Sequence, residues 1–152
     1  MMSDDVLQYV QRSVLSWLAT IDENGFPNVS PKEVFCSSGN HLVLVANIAS
    51  PGSMKSILAR PQVCISFVDV FSQKGFKIKG RATVARAGDT AFATFAPPLA
   101  ELAGQRFLFS SIFVINVQSV DPIIAPSYRL FPDTLESEQI ASALRTYGVQ
   151  PL

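Results

Sequence analysis

The chain has 152 residues, 48% of them hydrophobic, which suits a single domain over residues 1–152 with enough apolar side chains for a real core. Twelve Lys and Arg balance twelve Asp and Glu, so no net field draws the protein onto nucleic acid or an anionic membrane, and neither is expected as a partner. Two cysteines, Cys36 and Cys64, and one histidine, His41, give neither a disulfide framework nor a histidine-based metal cluster within one chain.

Ser3 followed by Asp4 and Asp5 offers a helix cap with dipole-compensating charge, and Val6, Leu7, Val10 and Val14 recur at helical spacing, which predicts an opening amphipathic helix. From Leu15 the texture turns to strand. Trp17 to Ile21 is an apolar run, Asp22-Glu23-Asn24-Gly25 supplies a tight turn, and Pro27 to Ser37 is the predicted returning strand. His41 to Asn47 predicts a buried third strand, left through Ala49-Ser50-Pro51-Gly52. Ser53 is placed to cap a short helix, Met54 to Ala59, on which Met54, Ile57 and Leu58 share a face, and Pro61 ends it.

Val63 to Val68 predicts a fourth strand, and Gly75 to Ala87 a fifth with Phe76, Ile78, Gly80, Ala82 and Val84 on its buried face. Asp89 to Leu102 favours helix, with Pro97-Pro98 expected to divide it into two. Ile112 to Val117 is a sixth strand, and a last helix is expected from Thr134 as cap to Gly148 as stop. Six short strands with helices appended predict an α+β β-barrel rather than alternating βαβ units.

The acidic N-terminal stretch is unlike a secretory signal, and no apolar run approaches the roughly 20 residues that span a bilayer, so a cytoplasmic protein is expected. Eleven Phe and a positive mean hydropathy exceed what one small core needs, which points to a homodimer.

No Gly-x-Gly-x-x-Gly turn and no Walker loop is present, so a bound phosphate would need another cradle. Two segments offer one. Ser30 and Lys32, two apart on a strand, project from one face as a hydroxyl beside an ammonium. Ser53, Lys55 and Ser56 cluster at a predicted helix N-terminus, where backbone N–H groups lack partners. Residue type and spacing leave two readings open: an anion site, or a capping serine beside solvated surface lysines.

The string WLATIDENGFPNVSPKEVF, followed by HLVLVANIASPGSMKSILARPQVCISFVD and KIKGRATV, resembles the FMN-binding split barrels of the pyridoxamine 5'-phosphate oxidase-like superfamily, over roughly Val14 to Val84. The resemblance implies a six-stranded antiparallel split β-barrel of Greek-key type that binds flavin mononucleotide (FMN) between the subunits of a homodimer. It implies that Ser30, Pro31 and Lys32 line the FMN phosphate and flavin edge. Ser53, Lys55 and Ser56 would grip the phosphate, with Met54 among them in the same helix start. The backbone of Val45, Ala46, Asn47 and Ile48 would run along the ring, Asn47 giving a polar contact. The partner's C-terminal segment, at Ile124, Ser127 and Tyr128, would cover part of the ring.

The likeness stops short of the namesake reaction. Ser30 stands where an arginine aligns, and the C-terminal Arg-x-His pattern is missing, which argues against vitamin B6 oxidation. The expected activity is a flavin-dependent oxidoreduction of a small substrate, in which the cofactor supplies the chemistry and no side chain is assigned as acid or base. Alternatives are a non-catalytic FMN store or electron carrier, or a relative that binds haem or the deazaflavin F420.

Overall fold

The computed structural model describes residues 1–152. Val6 and Val10, one turn apart, are the buried face of helix α1 (Asp4–Arg12), whose first turn carries Asp4 and Asp5. Ser3 holds the cap position, but its side chain makes no cap bond, and Val14 lies beyond the helix, exposed. Strands β1 (Ser16–Ile21) and β2 (Pro27–Lys32) form the expected hairpin. Its turn is fixed by Asp22 Oδ1, which accepts the N–H groups of Asn24 and Phe26, both at 2.9 Å, and by Gly25 at φ 88°.

The chain continues through β3 (Phe35–Ser38), β4 (Leu42–Ala46), helix α2 (Pro51–Ala59), β5 (Gln62–Asp69), β6 (Lys74–Arg86), helix α3 (Thr90–Ala103), β7 (Ser111–Ile124) and helices α4 (Pro126–Leu130) and α5 (Glu136–Tyr147). The seven strands form one sheet in the order β2-β1-β5-β6-β7-β4-β3, with every pairing antiparallel. The class is α+β as expected, but the strand count is corrected from six to seven. The run Pro27–Ser37, read as one strand, breaks at Glu33-Val34, where the Val34 carbonyl accepts the Ala46 N–H at 3.0 Å and hands the chain from β1 to β4. Thus β2 and β3 are opposite edges of the sheet, although only two residues separate them. The sheet must curl until those edges meet at that link, and no ladder joins them.

Strand β4 shows how the core is organised. Val43 and Val45 pack on one side with Leu18, Ile65, Phe67, Ile78 and Phe113, while Leu44 and Ala46 pack on the other with Val34, Leu99 and Ile112. A strand buried on both faces reads as the unbroken apolar run that the sequence displays. Helix α3 covers the second cluster through Leu99 and Ala103, and it is one helix, not two. Pro97 and Pro98 remove two N–H donors, but the helix runs through them, with those two buried residues on its far side.

Two cap expectations shift and one holds. Helix α2 begins at Pro51, so Ser50 is its N-cap and Ser53 lies inside the first turn. Helix α5 has Leu135 rather than Thr134 at its N-cap, while Gly148 closes it in the left-handed region at φ 66° as expected. No helix is long and apolar enough to cross a membrane.

Candidate functional site

An extended strand places Ser30 and Lys32 on one side of β2, and the fold sets that side against the start of α2. Ser30 Oγ and Ser53 Oγ lie 3.0 Å apart, and Lys32 Nζ donates to Ser50 Oγ. The two predicted segments therefore meet, with Ser50 as an additional member.

Lys32 is only 5% exposed. The chain's ion pairs are Arg12 with Asp69, Lys55 with Glu23 and Lys74 with Glu136, so Lys32 has no carboxylate partner. Burial pushes its ammonium below the ordinary lysine value. A buried cation held only by a hydroxyl, with the Phe113 ring centroid 5.9 Å away, is electrostatically incomplete. Its one hydrogen-bond partner, Ser50, is the N-cap of α2, and the Ser30–Ser53 hydroxyl pair joins the same strand to the same helix start, a combination of donors that suits an anion.

The segment leaving β4 divides two clefts. Ala46 and Ile48 line a smaller one of about 190 Å³ together with Pro31, Lys32 and Phe107. Asn47 and Ser50 line a larger one of about 550 Å³ together with Met54, Arg86, Phe109 and Ser111. Between them Ala49 adopts φ 51°, a conformation that a residue with a side chain rarely takes. Asn47 is tied to β7: its N–H donates to the Ser111 carbonyl and its Nδ2 to Ser111 Oγ, both at 3.0 Å, with Met54 Sδ at 3.7 Å from the same nitrogen. Its Oδ1 is buried with no partner. A buried carbonyl oxygen without a donor fits a ligand that brings an N–H.

The remaining expected residues are dispersed. Val45 is fully buried in the core and ladder-paired with both Phe35 and Phe113, and the Ala46 and Asn47 N–H groups are bonded within the chain. Of the four backbone positions expected to flank a ring, the Ile48 N–H alone lacks a backbone acceptor. Lys55 is exposed and turned to Glu23 Oε1 at 2.8 Å, which raises its pKa, and with Ser56 it lines a separate opening of about 350 Å³. Tyr128 lies at the other end of β6, its hydroxyl donating to the Ser72 carbonyl at 2.8 Å. Ser50 opens the predicted phosphate segment without a role of its own there, and Arg86 and Ser111 carry no local signal, since they reach the cleft only through the pairing of β6, β7 and β4.

The fold is shared widely. The Group A Streptococcus protein HupZ superposes with a TM-score of 0.68 at 19% identity, over 82% of this chain and 99% of its own. An FMN-binding protein from Syntrophomonas wolfei gives 0.66 at 12% identity, over 80% and 88%. HutZ, the heme storage protein from Vibrio cholerae, gives 0.56 at 18% identity, over 82% and 95%. No curated protein matches the sequence. A sequence profile described as pyridoxamine 5'-phosphate oxidase matches residues 2–136, so the chain belongs to that family.

Proposed function

We propose that the protein binds FMN and acts as a flavin-dependent oxidoreductase on a small organic substrate, as a homodimer with the two sites at the subunit interface. The observation that carries the reading is Lys32: a buried ammonium without a carboxylate, set among Ser30, Ser50 and Ser53 at a helix start, suits a phosphate monoester. The larger cleft opens from Ser50 and exceeds the roughly 300 Å³ at which small-molecule pockets begin, whereas the smaller cleft does not. In the larger cleft, Asn47 Oδ1 offers an acceptor to the polar edge of a ring.

When bound, FMN supplies hydride or electron transfer. The chain's own residues have the remaining tasks. Lys32 and the serines anchor the anionic end, Asn47 orients the ring, and Met54 and Phe109 exclude water from its apolar side. Ser30, in place of an arginine, leaves the site without the basic set that would grip a second phosphate, which disfavours a phosphorylated B6 substrate.

The test is the visible spectrum of purified protein mixed with FMN and dialysed. Retained flavin absorbance supports the reading, and a colourless protein ends it. A haem Soret band, or tight F420 binding without FMN binding, would replace it, although His41, the only histidine, lines neither cleft. Reduced, FMN-loaded protein that passes electrons to a redox protein and to no small acceptor would favour the carrier alternative.

A further inference from the structure

The larger cleft is lined by eleven residues, and Arg86 is the only titratable one among them. Its guanidinium belongs to none of the chain's ion pairs and makes no hydrogen bond within the chain. The nearest acid in sequence, Asp89, is engaged elsewhere: its Oδ2 accepts the Arg86 backbone N–H at 2.8 Å, closing the turn into α3. Arg86 is exposed to solvent at the end of β6, so the cleft has at its rim a positive charge with no carboxylate partner, and it also contains the buried, unpartnered Oδ1 of Asn47.

The pyrimidine edge of a flavin ring presents an acceptor, a donor and an acceptor in turn: C2=O, N3–H and C4=O. Asn47 Oδ1 offers the matching acceptor, and Arg86 offers donors with a charge. Lys32 lines the neighbouring smaller cleft and donates to Ser50 on the wall of this one, so the anionic and ring ends of one ligand would be served by adjoining surfaces. We propose that Arg86 is turned on the pyrimidine edge of bound flavin and sets the electron affinity of the ring. This rests on the FMN reading above. A cation there favours every state in which the ring gains an electron pair, because that pair's charge settles at N1 and C2=O. Arg86 would then control how readily the flavin is reduced rather than whether it binds.

Sulfite tests this without turnover. Sulfite donates its lone pair to flavin N5, the charge passes to N1 and C2=O, no electron leaves the complex, and the yellow colour bleaches. The FMN-loaded protein is titrated with sodium sulfite as wild type, Arg86→Gln and Arg86→Lys, after the FMN affinity of each has been measured. The expected result is that R86Q, held fully loaded at an FMN concentration set by its own measured affinity, binds sulfite about tenfold more weakly than wild type, while R86K recovers most of the loss. Equal sulfite affinity in wild type and R86Q overturns the proposal. So does an R86K variant as weak as R86Q, since shape rather than charge would then matter. A folded R86Q that no longer holds FMN makes Arg86 an anchoring residue and overturns the tuning role. Failure of the wild type to bind FMN instead defeats the functional reading itself.

Discussion

Lys32 carries opposite consequences for binding and for stability. An unpaired buried ammonium destabilises the ligand-free fold, and replacement by an apolar side chain of similar length removes that cost. Lys32→Met is therefore expected to raise apo stability by about 1 kcal/mol in urea unfolding while weakening FMN binding by about 1.5–3 kcal/mol. A variant that loses both would show Lys32 to be a packing residue. The pH dependence has a definite sign. With its folded pKa lowered from 10.5, Lys32 releases its proton in the native state at a pH where the unfolded chain still holds one. Its destabilising effect is present at neutral pH and fades as pH rises through the lowered value toward 10.5. The difference in unfolding free energy between K32M and wild type should shrink over that alkaline range. FMN affinity of the wild type should fall over the same range. Lys55 contrasts with it: exposed and paired with Glu23, it is expected to change FMN affinity by less than about 1 kcal/mol on substitution by alanine.

Strand and helix positions were readable from the sequence wherever a single face or a tight turn dictated them. The β1–β2 turn with Gly25, the doubly buried β4 and the alternating β6 all follow from local pattern. The break at Glu33-Val34 was not legible, because residues 27 to 37 have strand texture throughout and the break depends on Val34 meeting Ala46. Helix α3 misled for the opposite reason: its prolines argue locally for a break, and burial of Leu99 and Ala103 is a tertiary effect. The β6–β7 ladder adds a requirement of its own. Between Lys79 and Gly80 the register shifts, and a Cβ at Gly80 would stand 2.3 Å from the Asn116 carbonyl oxygen and 2.9 Å from Ile115 Cγ2. Because β7 also pairs β4 and holds Ser111 against Asn47, this crossing supports the cleft. Gly80→Ala should cost about 1–3 kcal/mol, measured as a lower urea midpoint with unchanged slope. An unaltered midpoint would mean that the backbones separate without penalty.

Across the whole molecule, the proposed anion site joins residues 30–32 to 50–53, a separation small enough for strand and helix signals to suggest it. The ring cleft joins 47–54 to 86 and 108–111, and nothing local marks Arg86 or Ser111 before β6, β7 and β4 are paired. The proposed subunit interface is a further level, to which one chain's pattern points only by surplus apolar residues. The outward face of the β1–β2 ribbon places Trp17 opposite Pro31 and Ala19 opposite Val29, with Trp17 47% and Val29 55% exposed. Aromatic and branched side chains side by side on a solvent-facing ribbon suit burial against a second copy. The same ribbon presents Ser30 and Lys32 from its other face, so a dimer formed there would set the anion site one strand's thickness from the subunit interface. If dimerisation and FMN binding are linked, each must strengthen the other by the same factor. The paired change Trp17→Glu and Val29→Glu should give a monomer by light scattering at micromolar concentration. It should keep the far-ultraviolet circular dichroism of the wild type and bind FMN about tenfold more weakly, a coupling of about 1.4 kcal/mol. Wild-type protein that is monomeric with or without FMN would remove the shared-site arrangement. A monomeric variant with full FMN affinity would confine the site to one chain.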